Sequence, residues 1–218
     1  MLIAAQATRA NLHPRGAIHG VLFIDIAVCF CYYDKKYLPS GVFMEIRILE
    51  KAEQQVIYPD AYKLLAAADK EFVPPLSSRS SSTQQALCGS AQNADGIHPY
   101  FEGLKKQRFA AAFENGKLIA FVSYKENYTC AEIPQNELPN IYISTLVVSP
   151  EARGKGVTKA LYSTLFSEYK TANVFTRTWS TNLAHIKILQ GYGFQTIKVL
   201  ENHRGNGIHT IYFKKAHP

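Results

Sequence analysis

The sequence predicts a mixed α/β domain, and three features carry that expectation. Ile141 to Val148 is an unbroken β-prone run that meets a turn at Ser149-Pro150. A glycine-bearing loop, Arg153-Gly154-Lys155-Gly156, follows, and then a helical pattern with Val157, Ala160, Leu161, Thr164 and Leu165 on one face. Upstream, Glu114-Asn115-Gly116-Lys117 joins two strand-like runs. Asn-Gly is the strongest short hairpin signal because both residues tolerate the positive φ of a tight turn. Near the end, two more strand-like runs flank the loop ENHRGNGIH.

Residues 1 to 43 differ from the rest. Arg9 and Arg15 precede an apolar run from Ala17 to Tyr33 that His19 and Asp25 interrupt. A signal-peptide core is one reading, but Asp25 sits in its middle and no small-x-small cleavage site follows. The run is also short and interrupted for a membrane helix. Met44 begins MEIRILEK, whose alternation of Ile46 and Ile48 suits a first strand. The expected organisation is therefore a domain over 44–218 preceded by a 1–43 extension, with Met44 as a plausible true start of translation.

Pro59-Asp60 is expected to open the first helix, since proline fits a first helical position and aspartate suits the N-terminal turn. Its apolar face would use Ala61, Leu64, Leu65 and Ala68. The Ser-, Pro- and Gly-rich stretch from Phe72 to Gly96 reads as loop, and Pro99 starts a second helix through Tyr100, Phe101 and Leu104. Arg108–Phe113 and Leu118–Lys125 are the hairpin strands. Asn173–Thr178 is a strand, Leu183–Gln190 a helix capped by Asn182, and Phe194–Leu200 and Thr210–Phe213 a final hairpin. A second Arg-Gly-x-Gly, Arg204 to Gly207, precedes no helix and reads as hairpin loop.

Composition narrows the function less than the motifs do. Of 218 residues 47% are apolar, enough for a substantial core, and the net charge of +7 points to anionic partners without choosing among them. No RNP signature, zinc-finger spacing or long Lys/Arg run supports a nucleic-acid partner. Cys29, Cys31, Cys88 and Cys130 form no paired ligand sets, and the histidines lack His-x-x-x-His spacing, so no metal and a reduced, cytoplasmic setting are expected.

The strand, loop and helix at 141–165 have a chemical consequence. The first turn of a helix carries N–H groups without intrahelical partners and the positive end of the peptide dipoles. Glycines let a phosphate approach that backbone, and Arg153, Lys155 and Lys159 add positive charge. A P-loop would need four residues between its glycines followed by Gly-Lys-Ser/Thr, and a dinucleotide fold would need three glycines after an early strand. Neither fits.

The string resembles the coenzyme-A loop of the GNAT superfamily of N-acyltransferases, Gln/Arg-x-x-Gly-x-Gly/Ala, with Glu151 at the first position and Thr158 where a small residue is common. Ser180-Thr181-Asn182, with Gly193-Phe194 eleven residues after the asparagine, is similar to a second element of that family. The order of strands and helices from Met44 to about Lys215 matches its fold. The resemblance implies a mostly antiparallel central sheet of six to seven strands, flanking helices, and a splayed parallel strand pair at the cofactor strand. It implies acetyl-CoA as co-substrate, its pantetheine arm along the backbone of Leu146, Val147 and Val148. The pyrophosphate would rest on the amides of Arg153, Gly154, Lys155, Gly156, Val157 and Thr158, with Lys159 and Asn182 beside it.

The implied activity is N-acetyl transfer to a primary amine of a small molecule or peptide by direct attack on the thioester. No nucleic-acid or membrane partner is implied, and the chain would be a monomer or homodimer. A free alkylamine has a pKa near 10, so a base or a desolvating pocket must strip its proton. Relatives often place a glutamate on the cofactor strand, where this chain has Tyr142. Tyr142, Glu126 and Glu137 are the candidate catalytic residues, with His185 another. Leu189 stands where relatives carry the tyrosine that protonates the departing thiolate, so installing Leu189→Tyr is expected to raise kcat by less than about tenfold. The missing groups leave open a second reading, a non-catalytic acyl-CoA sensor.

Overall fold

The computed structural model describes residues 34–37, 43–89 and 91–217, so the apolar run at 17–33 lies outside the described residues. Eight strands form one sheet in the order β1-β2-β3-β4-β5-β6-β8-β7. They are β1 (Asp34–Tyr37), β2 (Phe43–Leu49), β3 (Arg108–Glu114), β4 (Lys117–Glu126), β5 (Asn140–Val148), β6 (Asn173–Trp179), β7 (Gln195–Leu200) and β8 (Thr210–Lys215). Every pairing is antiparallel except β5 with β6. The seven strands from Phe43 onward are those the sequence pattern marks. To them β1 adds an edge strand drawn from the stretch expected to be an extension, pairing Asp34 with Ile46 and Tyr37 with Phe43.

Two apolar layers cover the sheet. On one face α3 (Val157–Glu168) sets Val157, Ala160, Leu161 and Leu165 against Ile46, Ala110, Ala112, Val122, Ile143, Val174 and Phe213. On the other, α1 (Lys51–Ala67) and α2 (His98–Leu104) pack Ile57, Ala61, Leu65, Tyr100, Phe101 and Leu104 against Phe109, Ala111, Phe121 and Val147. Each large apolar side chain fully removed from water in this way contributes about 1.5–3 kcal/mol. α4 (Leu183–Gly191) lies beside the first layer through Leu189, with Ile186 and Ile188 partly buried.

The β3–β4 hairpin turns on Asn115 at φ 51° and Gly116 at φ 76°, both left-handed as its two-residue turn demands. The first helix departs from expectation. It begins at Lys51, not at Pro59, and Pro59 lies inside it. The Glu50 N–H donates to the Glu53 carboxylate 2.9 Å away, an acidic version of the box that starts a helix, and the buried Gln54 donates from Nε2 to the Leu49 carbonyl at 3.1 Å. An internal proline costs about 3 kcal/mol. Burial of Ile57, Ala61 and Leu65 along the helix, with Tyr58 and Tyr62 set edge-on to Phe101, offsets it. The Ser-rich stretch after Phe72 is irregular apart from a 3₁₀ turn at Leu76–Ser78, yet it is packed: Leu76, Ser77, Ser78, Arg79, Ser82 and Leu87 are buried.

Candidate active site

The one parallel pair does not run its full length. β5 and β6 are in register from Asn140↔Asn173 to Ile143↔Thr176, and there the pairing stops. At that point β5 carries a bulge against β4, because Tyr124 faces Ile143 while the preceding Ser123 faces Thr145, leaving Ser144 extra. Beyond it β6 keeps only β8 as a partner, through Arg177, Thr178 and Trp179. A cleft of about 580 Å³ opens between the diverging strands. Residues 143–148 of β5 and 176–179 of β6 form its walls, the 152–159 loop and helix start one end, and Asn182, Ala184, His185 and Ile188 of α4 another side.

The backbone of β5 faces this cleft with alternate residues. Ser149 donates its N–H to the Ile119 carbonyl of β4 at 2.8 Å. Alternation along a strand therefore turns the N–H and C=O of Val148 and Leu146 to the opposite edge, toward the cleft. The side chains of Leu146 and Val148 pack on the α3 layer and that of Val147 on the α1–α2 layer, so these positions offer the cleft their main chain.

At the loop, Gly154 (φ 74°) and Gly156 (φ 80°) are both left-handed, and a Cβ on either would meet nothing within 4 Å. The open volume over two glycines, at the start of a helix, is a concavity that a phosphate can occupy at close range to the amides. Gly154, Gly156, Val157, Thr158 and Lys159 line the cleft, and so does Asn182. Asn182 caps α4 by accepting from the His185 N–H at 3.3 Å and donates to the Thr178 hydroxyl at 3.2 Å.

The cations around the loop divide. Arg153 lines the cleft, but its Nε donates to the Val148 carbonyl at 3.2 Å and its Nη2 to Glu71 at 2.9 Å, tying the loop to the 3₁₀ turn that follows α1. Lys155 lies outside the lining, 3.9 Å from Glu114. Lys159 is exposed at the cleft.

None of the three carboxyl or phenol candidates reaches the cleft. Tyr142 is fully buried on the opposite sheet face, its ring 4.7 Å from that of Tyr128, and burial raises its pKa so that it stays a neutral phenol. Glu126 accepts from the Tyr169 hydroxyl at 2.5 Å and borders a separate groove with Arg108 and Lys125. Glu137 is held by Lys214 at 2.6 Å and Asn173 at 3.0 Å, at the far end of β6. Sequence spacing places these residues near the cofactor strand, but only the fold shows which end of the strand they flank.

Leu189 also differs from expectation. It is fully buried in the α3 layer, whereas its neighbour Ile188 lines the cleft together with Ala184 and His185. Tyr192 turns away too, donating to the Lys159 carbonyl at 2.7 Å. Leu189→Tyr therefore should not supply an acid. We expect it to overpack the core and lower stability by about 1–3 kcal/mol, read as a shift of the urea midpoint, with no gain in kcat.

Three groups of the cleft escaped the motif reading. Ser144, at the bulge, donates to Gln107 Oε1 at 2.5 Å and meets Ser123 at 2.9 Å. Thr145 meets the Tyr100 hydroxyl at 2.7 Å. Glu71 and Phe72, following α1, close the mouth, and Phe72 lies against Trp179 with centroids 5.7 Å apart. Bulges and loop packing leave no periodic trace, so only Trp179, beside Ser180-Thr181-Asn182, could have been suspected.

The family model of the acetyltransferase (GNAT) family matches residues 77–194 of the chain. The chain belongs to the GNAT acetyltransferase family. This GNAT protein is an acyltransferase, and acetyl transfer is its general reaction. Solved structures share its fold. An N-acetyltransferase from Staphylococcus aureus is 17% identical, covering 80% of this chain and 99% of its own, with a TM-score of 0.54. An acetyltransferase from Salmonella typhimurium, solved with its cofactor acetyl-CoA, is 16% identical over 80% of this chain and 94% of its own, with a TM-score of 0.54. A ribosomal-protein-alanine N-acetyltransferase from Brucella melitensis is 16% identical over 78% and 98%, with a TM-score of 0.53. At these identities the likeness is one of fold. No curated protein matches the chain. Among the described residues no helix is long and apolar enough to cross a membrane, and no group of three or more His, Cys, Asp or Glu could hold a metal.

Proposed function

We propose that the chain moves an acetyl group from acetyl-CoA to a primary amine of a small molecule or peptide, in the cytoplasm and without a metal. The observation that carries this reading is the cleft where β6 leaves β5 beside the Ser144 bulge, continuous with the two left-handed glycines at the start of α3. Bound acetyl-CoA supplies the thioester carbonyl that the amine attacks. Gly154, Gly156 and the first amides of α3 hold the diphosphate, with Arg153, Lys155, Val157, Thr158, Lys159 and Asn182 around them. The cleft-facing main chain of Leu146 and Val148 orients the arm, with Val147 between them. The amine attacks as its free base, the carbon–sulfur bond breaks, CoA departs, and the amine's proton passes to water at the mouth beside Glu71. Glu71 is the one carboxylate among the described residues that line the cleft. A thiol leaving group has an ordinary pKa near 8.5, so its departure does not demand a dedicated acid.

Release of free CoA, measured across a panel of amines and blank without amine, tests the proposal. Amine-dependent release is expected. Acetyl-CoA binding with no release for any amine would favour an acyl-CoA sensor.

We also propose that residues 44–218 suffice as the domain. A chain lacking 1–43 loses β1 and exposes the β2 edge, but keeps both apolar layers. It should melt cooperatively and bind acetyl-CoA within about threefold of the full chain, because a surface edge strand typically alters local fraying more than the global fold. Non-cooperative melting of the shortened chain would show that the boundary is wrong.

A further inference from the structure

Three arginines converge on the side of the cleft that the cofactor does not explain. β6 directs Val174 into the α3 layer, so by alternation Phe175, Arg177 and Trp179 emerge on the opposite face. Arg79 comes from the packed Ser-rich loop and Arg204 from the β7–β8 loop, where they are 5% and 6% exposed. Arg177 itself lines the cleft. The other two lie behind its aromatic wall, Arg79 with its guanidinium carbon 5.8 Å from the Phe72 ring and Arg204 5.6 Å from the Trp179 ring.

None of the three has a carboxylate within ion-pair distance among the described residues. Their hydrogen bonds run to neutral groups. Arg79 Nε and Nη2 donate to the Pro74 carbonyl, Arg204 Nη1 to the Val73 carbonyl and Nε to the Thr210 hydroxyl. Arg177 donates to the Tyr212 hydroxyl and to the Ser82 and Gln84 carbonyls. Each guanidinium carries five N–H groups, so some on each remain uncommitted. Asp69, within electrostatic reach of Arg79, already accepts from the Ser77 N–H and hydroxyl. The phenols nearby, Tyr100, Tyr128, Tyr142 and Tyr212, are kept neutral by burial. Burial, with Arg79 and Arg177 adding to it, holds the Arg204 pKa down to about 9.

A structural staple for the loop would need the hydrogen bonds but not three positive charges, since neutral donors would avoid their mutual repulsion and desolvation. Resting on the acetyltransferase reading, we infer that the acceptor amine also carries an oxyanion, carboxylate or phosphate, which Arg177 receives in the field of Arg79 and Arg204. Planar guanidinium donors suit an oxyanion, and an anion entering here relieves the uncompensated charge. The site is separate from the diphosphate cradle, which sits at the start of α3 on the other side of the sheet.

Matched acceptor pairs test this. Free amino acids are compared with their carboxamides, and aminoalkyl phosphates with amino alcohols, by kcat/KM for CoA release and by the rise in Tm of the CoA-loaded full chain. The oxyanion member of one pair type should be favoured by about 10- to 100-fold, the range for losing charge-assisted hydrogen bonds. Which pair type shows it separates carboxylate from phosphate. Arg177→Gln, and independently Arg204→Gln should the first not fold, is expected to bring the ratio toward one while acetyl-CoA affinity holds by calorimetry.

Equal use of both members by the native chain, or a ratio that survives both folded variants, overturns the inference. Without turnover, oxyanion members that raise Tm no more than neutral ones overturn it as well. A native chain that fails to bind acetyl-CoA overturns the acetyltransferase reading itself.

Discussion

Gly156→Trp is expected to leave the fold standing and weaken acetyl-CoA binding by at least about 100-fold, equivalent to roughly 2.7 kcal/mol. Gly156 sits at φ 80°, and a Cβ there would project into open space rather than against the protein. The side chain therefore has room in the free protein, and that room is the concavity proposed for the diphosphate. The left-handed backbone adds a separate cost of about 1–2 kcal/mol for a bulky residue. Gly156→Asn separates the two effects, because asparagine tolerates this conformation and has little bulk. Calorimetry should show Asn near the native affinity and Trp far below it. Unchanged affinity in the Trp variant would move the cofactor elsewhere.

The cleft loop was legible because its chemistry is local. Two glycines between a strand and a helix can be read from adjacent letters, and both adopt the positive φ that makes them necessary. Strand existence was legible for the same reason, the Asn115-Gly116 hairpin most of all. The start of α1 was not, because Pro59 is a strong local signal that burial along the whole helix outweighs. The catalytic candidates lie away from the cleft for a geometric reason. Glu126 and Glu137 flank the paired end of β5 and β6, whereas the cleft opens at the end where they part. The parting coincides with the bulge at Ser144, which no residue pattern announces. Arg79 and Arg204 were hidden more thoroughly, since loop arginines are usually solvated and only packing brings these two under cover beside Arg177.

Acid should destabilise the protein through His185 well before most carboxylates are protonated. The His185 ring lines the cleft, and Tyr162, fully buried, places its hydroxyl 2.6 Å from Nε2. A neutral ring accepts the phenol proton at Nε2 or, in its other tautomer, donates to the phenol oxygen, whereas the charged ring can only donate and carries its charge out of water. Burial lowers the His185 pKa to about 4 from 6.5. The unfolded chain therefore binds a proton that the folded chain refuses between these values. Stability is full above the unfolded pKa and falls as pH drops toward the folded one, where the loss levels off. Between pH 7 and pH 5 this amounts to about 2 kcal/mol. Urea unfolding at both pH values should show that loss in the native chain. His185→Gln, which keeps a hydrogen-bonding side chain but cannot titrate, should show correspondingly less. Equal losses in the two chains would mean that His185 is protonated in the fold, and that its bond to Tyr162 gives way at little cost.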